Sequence, residues 1–276
     1  KINPRIIYCS ITGFGQNTPY SRLPVHDLNI QAMVGVLSLN GSQCEGPGFP
    51  ALQSADVGGA LFAAITILAA LLERRETGLG RYLDISMFEC TLFTMMTHLA
   101  NQFGGEKPEK GRQMITGGEP YYSIYKTLDD EYVALAAIEP QFWRNFCHLI
   151  GREDLIEKQY EEGKAKENVF GEVQKVLASK RRDDWLKVLM KDEACLTPVL
   201  EIQETLEEAF LVERGIVQKV EHESIGKMRV LGSMPTTGRG DTWNLAPAHG
   251  QHTNETLRIL GYDEEDIEKL RSEGVL

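Results

Sequence analysis

Hydrophobic and polar positions fall into distinct patterns along this chain, and each pattern predicts an element. RIIYCSITGFG carries a β-branched run that predicts a strand from Arg5 to Ile11, closed by Gly13 and Gly15. A polar loop through NTPYSRLP then leads to His26. Leu28, Ile30, Met33, Val34 and Leu37 recur at helical spacing and predict one helix from Asp27 to Ser38, followed by the loop NGSQCEGPGFP. The segment after Asp56 is rich in Ala and Leu and stops at Gly78 and Gly80, as a helix should. Its unbroken apolar run, Gly58 to Leu72, is about fifteen residues, short of the roughly 20 that span a bilayer. It reads as a buried helix.

RYLDISMFEC predicts a strand running into a single helix, FECTLFTMMTHLANQ, and GGEKPEKGRQMITGGEP reads as a linker. Two strand-like runs, YYSIYKT and EYVALAAI, flank the turn LDDE, with helices expected at Gln141 to Ile150, Val169 to Ser179 and Asp183 to Met190. That stretch reads as a separate α+β domain. After MRVLGSMPTT and the unpatterned GRGDTWNLAPAHG, a last helix pair is expected at Thr253 to Leu260 and Glu264 to Glu273. No repeat or low-complexity tract interrupts the pattern.

Composition narrows the classes. At 276 residues and 42% hydrophobic, the chain can build one large core or two modest ones, as a soluble globular protein. Forty acidic against twenty-nine basic residues, a net charge of −11, argue against a broad nucleic-acid footprint. Any anionic ligand must be held by local groups. The five cysteines, Cys9, Cys44, Cys90, Cys147 and Cys195, form no CxxC pair and no metal-ligand spacing, so no metal site is expected and a reducing cytoplasm fits best. The chain starts at Lys1 without a secretory signal, and a strand is already under way.

The candidate chemistry stays open at this level. Asp56 reads either as a plain N-cap of the helix that follows or as a carboxylate in a site. In the second reading, Gly58 and Gly59 leave room for a substrate and the helix N-terminus meets an anion or oxyanion. His26 is a structural histidine or a ligand-facing one, and Asp27 a cap. The pairs Gly13 with Gly15 and Gly117 with Gly118 are weak signals, since turns need glycine. These residues supply candidates without a reaction.

A resemblance supplies one. NPRIIYCSITGFGQNTPY, HDLNIQAMVGVLSLNG, SADVGGALFAAITILAALLERRETGLGRYLDISMFE, GGEPYYSIYKT, AIEPQFW, CLTPVLEIQE and APAHGQHTNETLRILGYDEEDIEKLRSEGVL follow in order and spacing the pattern of the family III CoA-transferase (CaiB/BaiF-type) group. The chain is identified as resembling a member of it. The family's transferases use the aspartate matching Asp56 as a nucleophile and carry an aromatic residue before the aspartate matching Asp27. Its α-methylacyl-CoA racemase branch places a histidine there, as VHDLNI does with His26, and a supporting glutamate in a segment like AIEPQFW, which holds Glu139. CLTPVLE also resembles the racemase form, whereas QAMVGVLSL is nearer the transferase wording.

The resemblance implies an acyl-CoA thioester substrate and no cofactor beyond its coenzyme A moiety, with no nucleic acid or membrane partner. As a racemase, the protein would invert the α-carbon of a 2-methylacyl-CoA, with His26 and Asp56 on opposite faces and Glu139 supporting His26. A histidine's ordinary pKa, about 6.5, suits either direction of transfer, whereas an aspartate needs desolvation to become basic. The enolate oxygen would lie toward the amides that open the Asp56 helix. As a transferase, Asp56 would form a mixed anhydride with the acyl group, with Gly117 and Gly118 closing over it. An inactive remnant is the third reading.

The implied fold is α/β: a Rossmann-like large CoA-binding domain plus a small α+β domain, in an interlocked homodimer. The large domain would take residues 1–86 and 230–276, the small one 123–214, with linkers at 87–122 and 215–229. Gly13, Phe14 and Gly15 would touch CoA. The family's first βα units have no match in the chain, so an N-terminally incomplete large domain, with a separate N-terminal fragment as partner, is an expectation.

Overall fold

The computed structural model describes residues 2–41, 46–189, 193–222, 226–232 and 246–276. Chain contacts divide it into two compact units, Lys1–Val199 and Leu200–Leu276.

The first unit opens with β1 (Tyr8–Thr12), which pairs in parallel with β2 (Tyr82–Ser86) in the register Tyr8 to Tyr82 through Thr12 to Ser86. A parallel pair needs a long crossover. Here it contains α1 (Asp27–Val34), α2 (Val36–Leu39) and α3 (Ser54–Thr77). The single helix expected from Asp27 to Ser38 is broken at Gly35, whose φ of 99° is left-handed and whose N–H closes on the Ala32 carbonyl at 3.2 Å. Gly80 makes the tight joint before β2: its N–H donates to the Pro4 carbonyl at 2.8 Å, and a Cβ there would sit 1.8 Å from the Ile6 oxygen.

α3 corrects two expectations. It stops at Gly78 as expected but begins at Ser54, ahead of Asp56, and with Glu73, Arg74 and Arg75 extending it past the apolar run it reaches 24 residues. By length and composition alone it is able to cross a membrane, a test that core helices of water-soluble proteins also pass. Nor is it buried. Leu61, Ile65, Leu68 and Leu72 are each about 60% exposed, and only 28% of its apolar window is covered.

Beyond β2 the expected single helix is two, α4 (Met87–Thr94) and α5 (Met96–Phe103). Thr94 Oγ1 donates to the Thr91 carbonyl at 2.7 Å, the acceptor that the Met95 N–H would use in a continuous helix. That N–H turns to the Leu92 carbonyl instead, at 3.1 Å.

The rest of the first unit is α+β. β3 (Tyr122–Lys126) and β4 (Tyr132–Ala136) form the expected hairpin, with Asp130 at a φ of 63° in its turn. α6 (Pro140–Leu149), α7 (Gly163–Leu177) and α8 (Arg182–Leu189) follow, and β5 (Leu196–Pro198) adds antiparallel to β4. Val169, Val173 and Leu177 recur every fourth residue of α7 and are buried together with Trp143, Phe146, Leu155 and Trp185. Both indole N–H groups find carbonyls inside this core: Trp143 Nε1 donates to Leu155 at 3.0 Å and Trp185 Nε1 to Leu177 at 2.8 Å.

The second unit begins with two short helices, α9 (Ile202–Glu207) and α10 (Ala209–Glu213). The antiparallel hairpin of β6 (Val217–His222) and β7 (Gly226–Leu231) follows. It ends in α11 (Thr253–Ile259) and α12 (Glu264–Ser272), the expected pair. α12 is capped by Asp263, whose Oδ1 accepts the Asp266 N–H at 2.9 Å. β5, β6, α9 and α10 were not foreseen; β5, α9 and α10 are each too short to show a period. Cys44, Met190 and GRGDTWN lie outside the described residues.

Candidate active site

The N-terminal ends of α1 and α3 meet just beyond the carboxyl end of β1. Phe14 follows β1 directly and is buried against Ile30 of α1 and Ala55 of α3, with its ring tilted on Tyr20 and Phe88. Open α/β sheets place their ligands at this end of the strands.

Asp27 joins the two helices. Its side chain is 7% exposed, and Oδ2 accepts the N–H of Ala55 at 2.8 Å and of Asp56 at 3.2 Å. Oδ1 accepts from Gln31 Nε2, which also donates to the Leu52 carbonyl at 3.0 Å. Asp27 is therefore a cap, but of α3 rather than of its own helix. Asp56 is not the N-cap of α3; Gln53 holds that position and Asp56 stands in the first turn, exposed. The Ala55, Asp56 and Val57 amides in the first turn of α3 are accordingly not free for an enolate. Asp27 occupies those of Ala55 and Asp56, and the Val57 N–H donates to Gln53 at 3.0 Å. The N–H groups of Gly58 and Gly59 lie past the first turn, where helical amides bond to carbonyls four residues back.

His26 is exposed at the N-cap position of α1. Asn29 fixes its backbone: Asn29 Oδ1 accepts the His26 N–H at 3.0 Å and the Asn29 N–H returns to the His26 carbonyl at 3.0 Å. The backbone N–H groups of Asp27 and Leu28, at the start of the same helix, have no acceptor among the described residues. His26 and Asp56 are thus tied through one residue, Asp27.

The glycines have different parts. Gly13 accepts the Phe88 N–H at 2.9 Å, and a Cβ there would press to 2.4 Å from Val25 Cγ2. Gly15, with a φ of 79°, takes a hydrogen bond from its N–H to Thr12 Oγ1 at 3.0 Å, while the next N–H, of Gln16, donates to Asp84 Oδ2 at 2.8 Å. This turn sets the floor of the site, and Phe14 is part of its apolar support. Gly59 lies close to Met87, while a Cβ on Gly58 would meet nothing within 4 Å. Gly117 and Gly118 close a tight turn after a single 3-10 turn, and a Cβ on Gly118 would come 2.2 Å from the Arg112 backbone. Gly117 borders a cavity of about 610 Å³ lined by Ile115, Thr116, Ile124 and Leu135. Gly41, Ile115 and Thr116 also border a second cavity of about 390 Å³, whose wall includes Ser54, two positions before Asp56.

Glu139 stands at the N-cap position of α6, exposed, and no hydrogen bond or ion pair joins it to His26 among the described residues. Its charge, with that of Glu193, adds to burial in pushing the Cys195 thiol up. Burial holds the Cys147 thiol at about 12. No cluster of three metal-ligating side chains occurs among the described residues. Sequence reading missed Gln31. The signal was present, since Asp27 and Gln31 are four apart in a helix with Ile30 between them, so a polar pair shares its buried side.

Residues 1–253 match the CoA-transferase family III profile, and the chain belongs to that family. It is 32% identical over 279 residues to the α-methylacyl-CoA racemase of Homo sapiens, covering 99% of this chain and 72% of that protein. It is also 29% identical over 284 residues to the succinyl-CoA:glutarate CoA-transferase of Mus musculus, covering all of this chain and 65% of that one. A CaiB/BaiF family protein from Brucella suis shares the fold, with a TM-score of 0.72 and 24% identity over 94% of this chain and 69% of that one.

Proposed function

We propose that the protein inverts the α-carbon of a 2-methylacyl-CoA thioester, with His26 and Asp56 as its two acid–base groups. The observation that carries this reading is the Asp27 carboxylate, which neighbours His26 in sequence and accepts the Asp56 N–H at 3.2 Å, so that both groups belong to one rigid assembly. One group removes the α-proton, the thioester carbonyl becomes an enolate, and the other group returns a proton to the opposite face. The enolate oxygen is taken by the unengaged N–H groups of Asp27 and Leu28, where the α1 dipole opposes its charge. Gly58 leaves the space in which the acyl group sits.

Glu139 enters as the carboxylate that steadies the imidazolium, supplied by the second copy of an interlocked homodimer. Residues 1–86 with 230–276 form the large domain in this reading, and 123–214 the small one. No cofactor is needed beyond the coenzyme A moiety, and the free thiols of Cys9, Cys90, Cys147 and Cys195 favour the cytoplasm.

A second reading, CoA transfer through an Asp56 anhydride, is favoured by one feature. The Gly117 turn borders a cavity that shares Ile115 and Thr116 with the one reaching Ser54, close to Asp56. One experiment separates them: a single enantiomer of a 2-methylacyl-CoA is incubated with the protein in deuterated water, with no added acid. α-Deuteration with racemisation supports the first reading, and absence of exchange sinks it. CoA movement only with an acceptor carboxylate, with hydroxylamine trapping at Asp56, supports the second. Neither reaction marks an inactive chain.

A further inference from the structure

We propose that Gln31 is a positioning residue, which holds Asp56 in register with His26 by clamping the Asp27 carboxylate and the lead-in to α3 at once. This rests on His26 and Asp56 being the reacting pair.

Gln31 is 1% exposed, and its amide nitrogen donates to both Asp27 Oδ1 and the Leu52 carbonyl. Leu52 lies two residues before α3 begins, and Asp27 Oδ2 holds the Ala55 and Asp56 amides of its first turn. One buried side chain therefore fixes the lead-in of α3 and orients the group that caps it. An ionised carboxylate can only accept, so Asp27 depends on the donors that surround it. Without Gln31 its Oδ1 loses its partner, the carboxylate is free to turn, and the first turn of α3 shifts against α1. Asp56 rides on that turn and His26 on the start of α1. A shift of about 1 Å in such a pair costs about 100-fold in rate. The effect falls on kcat, because Gln31 is enclosed by α1 and the α3 lead-in and is itself screened from substrate.

The test uses two variants, with α-proton exchange as the assay. Gln31→Met keeps the volume and removes both donors. It is expected to lower kcat about 10- to 100-fold while KM moves less than about twofold. Gln31→Glu donates to Asp27 only when protonated, so its rate relative to wild type at the same pH is expected to rise as pH falls. Backbone amide exchange at Ala55 and Asp56 gives a readout independent of activity, and both amides should exchange faster in Gln31→Met. Wild-type kcat in Gln31→Met, or unchanged protection of these two amides, overturns the proposal. If Gln31→Met does not fold, a flat Gln31→Glu to wild-type ratio across pH overturns it. If wild type fails to exchange the α-proton, the racemase reading falls. The clamp is then judged by CoA transfer, which also uses Asp56, and by the two amides.

Discussion

Two regions of the first unit are built on different terms. The region of β3–β5 and α6–α8 encloses a continuous apolar core around Trp143, Phe146 and Trp185. The region of β1, β2 and α1–α5 has two small clusters, one at Phe14, Ile30 and Ala55 and another at Ala63, Ile85 and Cys90, and much of the apolar side of α3 faces outward. The proposed chemistry lies in the second. Its parts are held there by polar ties: Asp27 to the α3 amides, Gln31 to Asp27 and Leu52, and Asp84 to the Gln16 amide. A dense core gives stability without directing any one atom. Hydrogen bonds across elements fix individual groups at a smaller net gain, about 1 kcal/mol each, with a larger cost when a buried partner is lost.

The largest test of that contrast is Trp143→Ala. It opens a cavity in the dense core and strips the Leu155 carbonyl of its donor, so a loss of about 3–5 kcal/mol is expected in denaturant unfolding. A loss under about 1 kcal/mol would mean that this core is not the anchor of the unit. Next comes Gly80→Ala, whose Cβ meets the Ile6 oxygen and must displace the backbone that aligns β1 with β2. A loss of about 1–3 kcal/mol is expected in thermal unfolding. An unchanged midpoint would show that the strand joint yields freely. The smallest is Leu68→Gln on the outward side of α3, expected to stay within about 0.5 kcal/mol of wild type. A larger loss that varies with protein concentration would show that this side is covered in solution, and the contrast between the regions would shrink accordingly.

Much of the fold was legible because it is written in local spacing. The β3–β4 hairpin, α6 and the last helix pair follow hydrophobic periods and turn residues within a few positions of where they were expected, while α7 begins six residues ahead of the expected Val169. The breaks at Gly35 and Met95 were not. One depends on a glycine adopting a left-handed conformation where either conformation was open to it, the other on a threonine hydroxyl taking a helix carbonyl. The candidate site was legible in its membership and not in its wiring. His26, Asp27 and Asp56 stand out as residues in the sequence, yet it leaves open whether Asp56 caps α3 and offers the α3 amides as open donors, where the structure gives the capping to Asp27.

By itself the sequence determined the longer helices and the β3–β4 hairpin, that a histidine and two carboxylates cluster near helix starts, and which family the chain resembles. These are properties of residue type and near-neighbour spacing. Only the tertiary structure decided that Asp27 caps a helix starting 27 residues further on, that Gln31 braces it, and that the Ala55 and Asp56 amides are taken while those of Asp27 and Leu28 meet no acceptor among the described residues. The reason is physical. A carboxylate satisfies whichever unpaired N–H groups packing brings to it, and which ones arrive depends on how distant elements meet.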